Sequence, residues 1–343
     1  MFRFENDYSE GAHPSILSLL EETNDQQSAG YGCDEWCDKA REAIRNACKA
    51  PQAAVEFAVG GTQANLMVID ILLRPYEGVL AAETGHIQVH ETGAVEATGH
   101  KVLTLKETEG KISAQQVGAY MAEYCAQAHP EHVVQPGMVY ISQPTEYGTL
   151  YTKEELQSLY EVCGQYQLPL FVDGARLAYA LACESNDVSL SELASLCDVF
   201  YIGGTKCGAF FGEAVVFVNE ALAKGFRHVL KQRGALLAKG RLLGLQFYGL
   251  FQNNLYYNIG ETANKQADRI RNALLQSGFE LIYGNRTNQI FFLGTDAAVE
   301  QLEKNFVLSD NGRMKGMRCM RICTSWATRE EAVDQLVDAI LKR

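Results

Sequence analysis

Leu168-Pro169-Leu170-Phe171-Val172-Asp173-Gly174-Ala175-Arg176 and Val199-Phe200-Tyr201-Ile202-Gly203-Gly204-Thr205-Lys206 are the stretches on which the fold turns. Each is a β-branched or aromatic run stopped by glycine, the pattern of a buried strand, and the strands are expected over Leu168 to Asp173 and Val199 to Gly203. Asp173 and Lys206 lie 33 positions apart, room for one right-handed strand-helix-strand crossover that brings both into one crevice. The crossover helix opens at Ser189-x-x-Glu192, a capping box that satisfies its first N–H groups. Ala54 to Val59, Val79 to Glu83, Lys101 to Leu105, Met138 to Gln143 and Ala214 to Val218 have the same strand character. Thr152-x-x-Glu155 caps another helix, with Leu156, Leu159, Tyr160 and Cys163 on its buried stripe. Near-continuous apolar strands alternating with helices predict an α/β fold: a three-layer α/β/α unit with a mainly parallel sheet.

The rhythm changes after about residue 250. A polar helix, Glu261 to Ser277, precedes strands at Glu280 to Tyr283 and Gln289 to Leu293. A last helix, opened by Thr328-x-x-Glu331, buries Ala332, Val333, Leu336, Val337 and Ile340. The expected division is an N-terminal arm with a large domain over 1–249 and a small α+β domain over 250–343. The uncharged stretch Leu242 to Gly260 reads as a buried helix, because its glutamines and asparagines disqualify it as a membrane span, and its part Leu242 to Tyr257 is expected to join the two.

The composition narrows the class of function. The chain has 343 residues, 30 Lys+Arg against 42 Asp+Glu and a net charge of −12, an acidic balance that argues against broad binding to phosphate backbones. Hydrophobic residues at 47% exclude disorder. The opening MFRFENDYSEG carries acids where a signal peptide needs an apolar core, so a cytoplasmic setting is expected. In that setting the ten cysteines are expected to be reduced thiols, mostly small core residues. Cys33-x3-Cys37 and Cys319-x3-Cys323 lack the spacing and second ligand pair of a structural zinc site, so no metal is expected.

In open α/β sheets ligands gather beyond the carboxyl ends of the strands. Four such ends carry chemistry. Val59-Gly60-Gly61-Thr62 leads into an apolar helix; it reads equally as a tight turn or as a phosphate cradle made by free helix N–H groups. Asp173, taken alone, suits a helix cap or a metal ligand. Lys206, taken alone, suits a solvated surface, yet its flanking glycines also make it a candidate imine-forming amine. Glu83-Thr84-Gly85-His86 offers a flat ring where a helix starts. Together the four meet the needs of pyridoxal phosphate: an amine for its carbonyl carbon, a carboxylate for its pyridine nitrogen, a helix end for its phosphate and a ring for its face.

In their order and spacing these motifs, with Phe57-x-x-Gly60-Gly61-Thr62-Gln63-Ala64-Asn65, Glu91-x-Gly93 and Asp173-Gly174-Ala175-Arg176, resemble the low-specificity threonine aldolases, a fold-type-I pyridoxal-phosphate family. The resemblance runs from about Phe4 to the Arg321-to-Trp326 segment. It implies an aspartate-aminotransferase-like fold and retro-aldol cleavage of a β-hydroxy-α-amino acid to glycine and an aldehyde. It further implies Lys206 as the cofactor lysine, Asp173 on the pyridine nitrogen, His86 stacked on the ring, and Gly61, Thr62 and Thr205 around the phosphate. Arg176 and Arg321 take the substrate carboxylate, while Tyr31 and Lys231 reach the site from a neighbouring subunit of a homo-oligomer, a dimer or tetramer.

Two positions depart from the family pattern. Gln143-Pro144-Thr145-Glu146 stands where many members have a histidine near the substrate hydroxyl, so Glu146 is expected either to take that contact or to change the side-chain preference. Glu5-Asn6-Asp7 replaces an Arg-Ser-Asp-like motif, which moves the serine's contact to Asn6. His86 is the favoured base for the β-hydroxyl proton, with Glu146 and His90 as rivals. The competing chemistry on the same scaffold is β-elimination or class V-like transamination.

Overall fold

A computed structural model describes residues 1–342. Its strands are β1 (Phe2–Arg3), β2 (Ala54–Ala58), β3 (Glu77–Ala82), β4 (Lys101–Leu105), β5 (Gln135–Ser142), β6 (Leu170–Asp173), β7 (Val199–Gly203), β8 (Glu213–Phe217), β9 (Glu280–Ile282), β10 (Gln289–Gly294), β11 (Phe306–Val307), β12 (Ser309–Met314) and β13 (Met317–Cys323). One seven-stranded sheet has the order β2-β8-β7-β6-β5-β3-β4. β7, β6, β5, β3 and β4 run parallel to one another, whereas β8 is antiparallel to both β2 and β7.

Every residue of β6, β7 and β8 is buried, as helices on both faces of a sheet require. Alternate side chains feed two cores. Val172, Phe200 and Val216 pack beneath the helices Glu35–Cys48, Lys153–Tyr166 and Arg241–Leu250. Phe171, Tyr201 and Val215 pack beneath Gly61–Leu72 and Phe226–Gln232 on the opposite face. The period-two alternation of the strands thus gives three layers.

A four-stranded antiparallel sheet, β12-β13-β10-β9, builds the smaller unit. Its core gathers Ile270, Phe279, Phe292, Met320, Ile322 and Leu336. The chain's first residues belong here too: β1 pairs with β11, Phe4 enters the same core, and the Cys323 N–H donates to the Phe4 carbonyl at 2.7 Å. This pairing is what steers Asp7 toward the large sheet.

Two local expectations differ from the structure, and strand β12 was not foreseen. Leu242 to Gly260 is not one helix; Arg241–Leu250 stops and Leu255–Gln276 begins after Asn253 and Asn254, with φ of 51° and 58°. Asparagine tolerates that left-handed backbone better than most residues, so the pair works as a corner. The capping boxes at Thr152 and Ser189 form, but the last helix starts after Arg329 with no side-chain cap. Thr328 Oγ1 instead accepts the Ser325 N–H at 2.7 Å. β12 carries Ser309-Asp310-Asn311-Gly312, a turn-like composition, and lies mostly exposed at a sheet edge, where an apolar pattern is unnecessary.

All ten cysteines are free; Cys33 and Cys125 are exposed and the others buried. Among the described residues no helix is long and apolar enough to cross a membrane.

Candidate active site

Because β2, β3, β5, β6 and β7 share one direction, their carboxyl ends open on one edge of the sheet. The loops beyond them enclose a cavity of about 320 Å³ lined by Gly61, Thr62, His86, Glu146, Asp173, Arg176, Thr205 and Lys206, with Tyr8, Tyr201 and Glu213. A larger hollow of about 670 Å³ lies elsewhere, between Thr108–Gln116 and Glu154–Ser158. Its Lys111 and Glu155 satisfy each other at 2.6 Å, whereas the smaller cavity brings a lysine, an aspartate, a histidine and an arginine together.

Asp173 ends β6 beside Ser142 of β5. Its Oδ2 accepts from the Tyr140 hydroxyl at 2.6 Å and from Asn65 Nδ2 at 3.0 Å. Its Oδ1 accepts from the Tyr201 hydroxyl and from the Ala175 N–H at 3.0 Å. Burial alone would favour the neutral acid, but the nearby His86 ring, the two tyrosines and the Ala175 N–H outweigh it and hold the carboxyl below the usual aspartate range. A fixed negative charge therefore sits at the cavity floor.

His86 begins the short helix His86–Val89. Its Nδ1 lies 2.7 Å from Oε1 of Glu91, an oxygen that also accepts from Asn65 Nδ2 at 2.8 Å. A carboxylate can only accept, so Nδ1 carries the hydrogen, and in the neutral ring the lone pair is the one on Nε2. Glu146 Oε1 accepts from the His86 N–H at 2.9 Å and from the Ser142 hydroxyl at 2.8 Å. Burial pushes the Glu146 carboxyl up despite those donors. The His90 ring lies 5.5 Å from that of His86 and outside the cavity wall; burial, with the charges of His86, Arg321, Lys206 and Arg176, keeps His90 below the usual histidine value.

Lys206 rides on the turn after β7, which the Tyr179 hydroxyl pins by donating to the Lys206 carbonyl. Burial and the adjacent Arg176 guanidinium depress the Lys206 amine, against the pull of Asp7, Asp173 and Glu213. Arg176 is itself held by Asp7: Nε donates to Oδ2 at 2.6 Å and Nη2 to Oδ1 at 3.0 Å. This side-on fork leaves the end-on edge of the guanidinium, Nη1 and the second Nη2 hydrogen, for another carboxylate.

Arg321, on β13, donates to Gln289 Oε1 at 3.2 Å and to the Glu5 carbonyl at 3.1 Å, and its buried Nε has no partner among the described residues. Asn6 does not line the cavity; its Oδ1 accepts from the Tyr8 N–H and the Ser9 hydroxyl, shaping the turn that places Asp7 and Tyr8. Tyr31 and Lys231 also lie outside the cavity wall. Lys231 Nζ sits 4.5 Å over the Tyr31 ring, and Tyr31 is 44% exposed. Asn65, Tyr140, Tyr201, Asp7, Glu91 and Glu213 are the site residues to which the sequence reading assigned no role. Asn65 and Glu91 sat inside quoted motifs, and the tyrosines read as ordinary strand residues.

The residues present fit pyridoxal phosphate. Gly60 precedes the helix Gly61–Leu72 without any side-chain cap, and a Cβ at Gly60 would meet nothing within 4 Å. First-turn N–H groups are thus open to an anion at a helix end. The anionic Asp173, a depressed amine at Lys206 and the His86 ring supply the remaining contacts.

Residues 21–309 match the family model of the beta-eliminating lyases. The low specificity L-threonine aldolase of Pseudomonas sp. (strain NCIMB 10558) is 30% identical, over 97% of this chain and 95% of that protein. The solved structure of Leishmania major threonine aldolase is 43% identical and superposes with a TM-score of 0.97, covering 100% of this chain and 99% of that one. Aspartate aminotransferase from Thermus thermophilus superposes at 0.74 with 14% identity, over 100% and 91% of the two chains, a likeness of fold alone.

Proposed function

The chain belongs to the beta-eliminating lyases and, within them, to the low-specificity L-threonine aldolases, a group of pyridoxal-phosphate enzymes with the aspartate-aminotransferase fold; from that membership we propose that it cleaves L-threonine, L-allo-threonine and related β-hydroxy-α-amino acids to glycine and an aldehyde. The observation that carries this reading is the convergence of Lys206, Asp173, His86 and the Gly61 helix end on one cavity.

In this reading Lys206 holds the cofactor and yields its place to the substrate amine, Asp173 faces the pyridine nitrogen, Gly61, Thr62 and Thr205 hold the phosphate, and His86 covers the ring. Bound there, the cofactor supplies a sink for the electron pair of the broken Cα–Cβ bond. The end-on edge of Arg176, joined by Arg321, fixes the substrate carboxylate, with Asn6 shaping that corner. Fixing the carboxylate orients Cβ toward His86 and Glu146. The neutral His86 ring, its hydrogen held on Nδ1 by Glu91, takes the β-hydroxyl proton at Nε2, and Glu146 contacts the same side chain. Tyr31 and Lys231, stacked on the outer surface, complete the cavity of a second copy in a cytoplasmic homodimer or tetramer, and Lys231 reaches the phosphate there. We also place the functional division near residue 250, between a cofactor-holding part and a small part that delivers Arg321.

The test is product analysis of the holoenzyme with L-threonine. Equimolar glycine and acetaldehyde are expected, with the visible absorbance of the bound cofactor lost in Lys206→Ala. A keto acid with ammonia, or a keto acid formed only with an amino acceptor, would instead establish elimination or transamination.

A further inference from the structure

Glu213 plays no part in the scheme above, yet it lines the same cavity as Lys206. β8 runs against its neighbours, so its first residue lies at the edge where β6 and β7 place their last. There Glu213 faces Gly203 across the ladder and is 3% exposed. Its Oε2 accepts the Gly204 N–H at 3.1 Å, and its Oε1 lies 2.8 Å from Thr205 Oγ1. Thr205 Oγ1 also accepts the Gly212 N–H at 3.0 Å. Both oxygens of Glu213 therefore grip the two residues immediately before Lys206. Among the described residues neither Glu213 nor Lys206 has an ion-pair partner within 4.0 Å, whereas Asp7 and Arg176 engage each other and Asp173 has four donors. An unpaired charge so placed is costly, so the charge of each group depends on that of the other.

We propose that Glu213 is a positioning residue for Lys206: it accepts from the Gly204 N–H and the Thr205 hydroxyl, holding the turn, and its carboxylate charge keeps the proton on the Lys206 amine. One proton is held between the two groups, so Lys206 gives it up at a higher pH with the Glu213 carboxylate in the cavity than without it. This role rests on the assignment of Lys206 as the cofactor lysine, because an unprotonated amine is the form that attacks a carbonyl carbon.

The surroundings agree with it. Burial pushes Glu213 up to about 8, against the Thr205 hydroxyl and the Lys206 charge, and the Asp173 carboxylate adds to the rise. Arg176 works against a cationic Lys206, while Asp7 and Asp173 work for it. Tyr201, Tyr256 and Cys207, which also feel the Glu213 charge, have their own ionisation pushed up by burial and stay neutral.

The experiment uses the full-length chain stripped of cofactor. Acylation of Lys206 by a small amine reagent is followed by peptide mass spectrometry from about pH 6 to 10, with exposed Lys49 as internal reference. Glu213→Gln keeps an oxygen for Gly204 and a hydrogen for Thr205 but cannot become anionic. Its Lys206 is expected to turn reactive at a pH lower than in the wild type by roughly one unit, because coupled groups titrate as a pair. Glu213→Asp restores the wild-type position at least in part. If Glu213→Gln does not fold, Glu213→Met, similar in size and uncharged, carries the same expectation. A Lys206 midpoint unmoved in the folded uncharged variant overturns the proposal. Cleavage is not part of the readout, so a failed titration leaves the aldolase reading standing, and a failed aldolase assay leaves the titration intact.

Discussion

Replacing Asp7 with Asn removes one charge from a pair whose side chains are 0% and 13% exposed. Breaking a buried pair from one side costs about 3–5 kcal/mol, because the remaining ion is left without compensation. Asparagine's oxygen still accepts one hydrogen bond from Arg176, so the expected loss is near the lower end, about 3 kcal/mol, or roughly two decades in the folding equilibrium. The pH dependence follows from the direction of the shift. Burial opposes ionisation of Asp7, but Arg176, Lys206 and Asn288 more than offset it, so the folded carboxyl titrates below its ordinary value of 3.8. A group depressed on folding adds stability above its unfolded value and loses it as the pH falls through the folded one. The gap between wild type and Asp7→Asn should therefore be full at neutral pH and close in acid below 3.8. Urea unfolding at one fixed protein concentration, repeated across pH, measures it. The same variant frees the Arg176 fork, so KM for threonine should rise more than kcat falls. Asp7→Asn within about 0.5 kcal/mol of wild type at pH 7, the scatter of surface changes, would refute the reasoning. A gap that stays constant through the acid range would do so as well.

His86→Asn removes the imidazole that is to take the β-hydroxyl proton; kcat should fall about 10²-fold or more, and an unaltered kcat would remove His86 as the base. Gly174→Ala puts a Cβ 2.0 Å from the Tyr201 carbonyl oxygen, in the tightest contact between the ends of β6 and β7. The backbone there cannot yield without moving Asp173, so the variant should lose more than about 3 kcal/mol or fail to fold; an unchanged Tm would show that the strand ends are not packed as described.

The strands of the large sheet were legible because each is buried on both faces and therefore written in unbroken apolar residues. The seven expected runs coincide with β2 through β8 to within three residues at either end. β12 was not legible, since an exposed edge strand needs no such pattern, and the corner at Asn253 and Asn254 was hidden because uncharged helix and uncharged turn look alike in sequence. In the cavity the residues at strand ends, Lys206, Asp173, His86 and the Gly61 turn, announced themselves by glycine and by polar groups abruptly following apolar runs.

Glu213 announced nothing. It opens a strand instead of closing one, and only the antiparallel pairing of β8 turns that opening toward the cavity. Asp7 lies 169 positions from Arg176, and its side-on grip depends on β1 joining β11 in the smaller unit. The tautomer of His86 is likewise set by a contact with Glu91 five residues away, whose distance and direction follow from a short helix and loop. Local patterning and burial are carried by each segment's own residues, so the amino-acid order suffices for the layers, the cofactor class and the strand-end chemistry. Which charges neutralise one another, and which are left free to act, depends on distances between segments remote in the chain, and those exist only once the two units have packed.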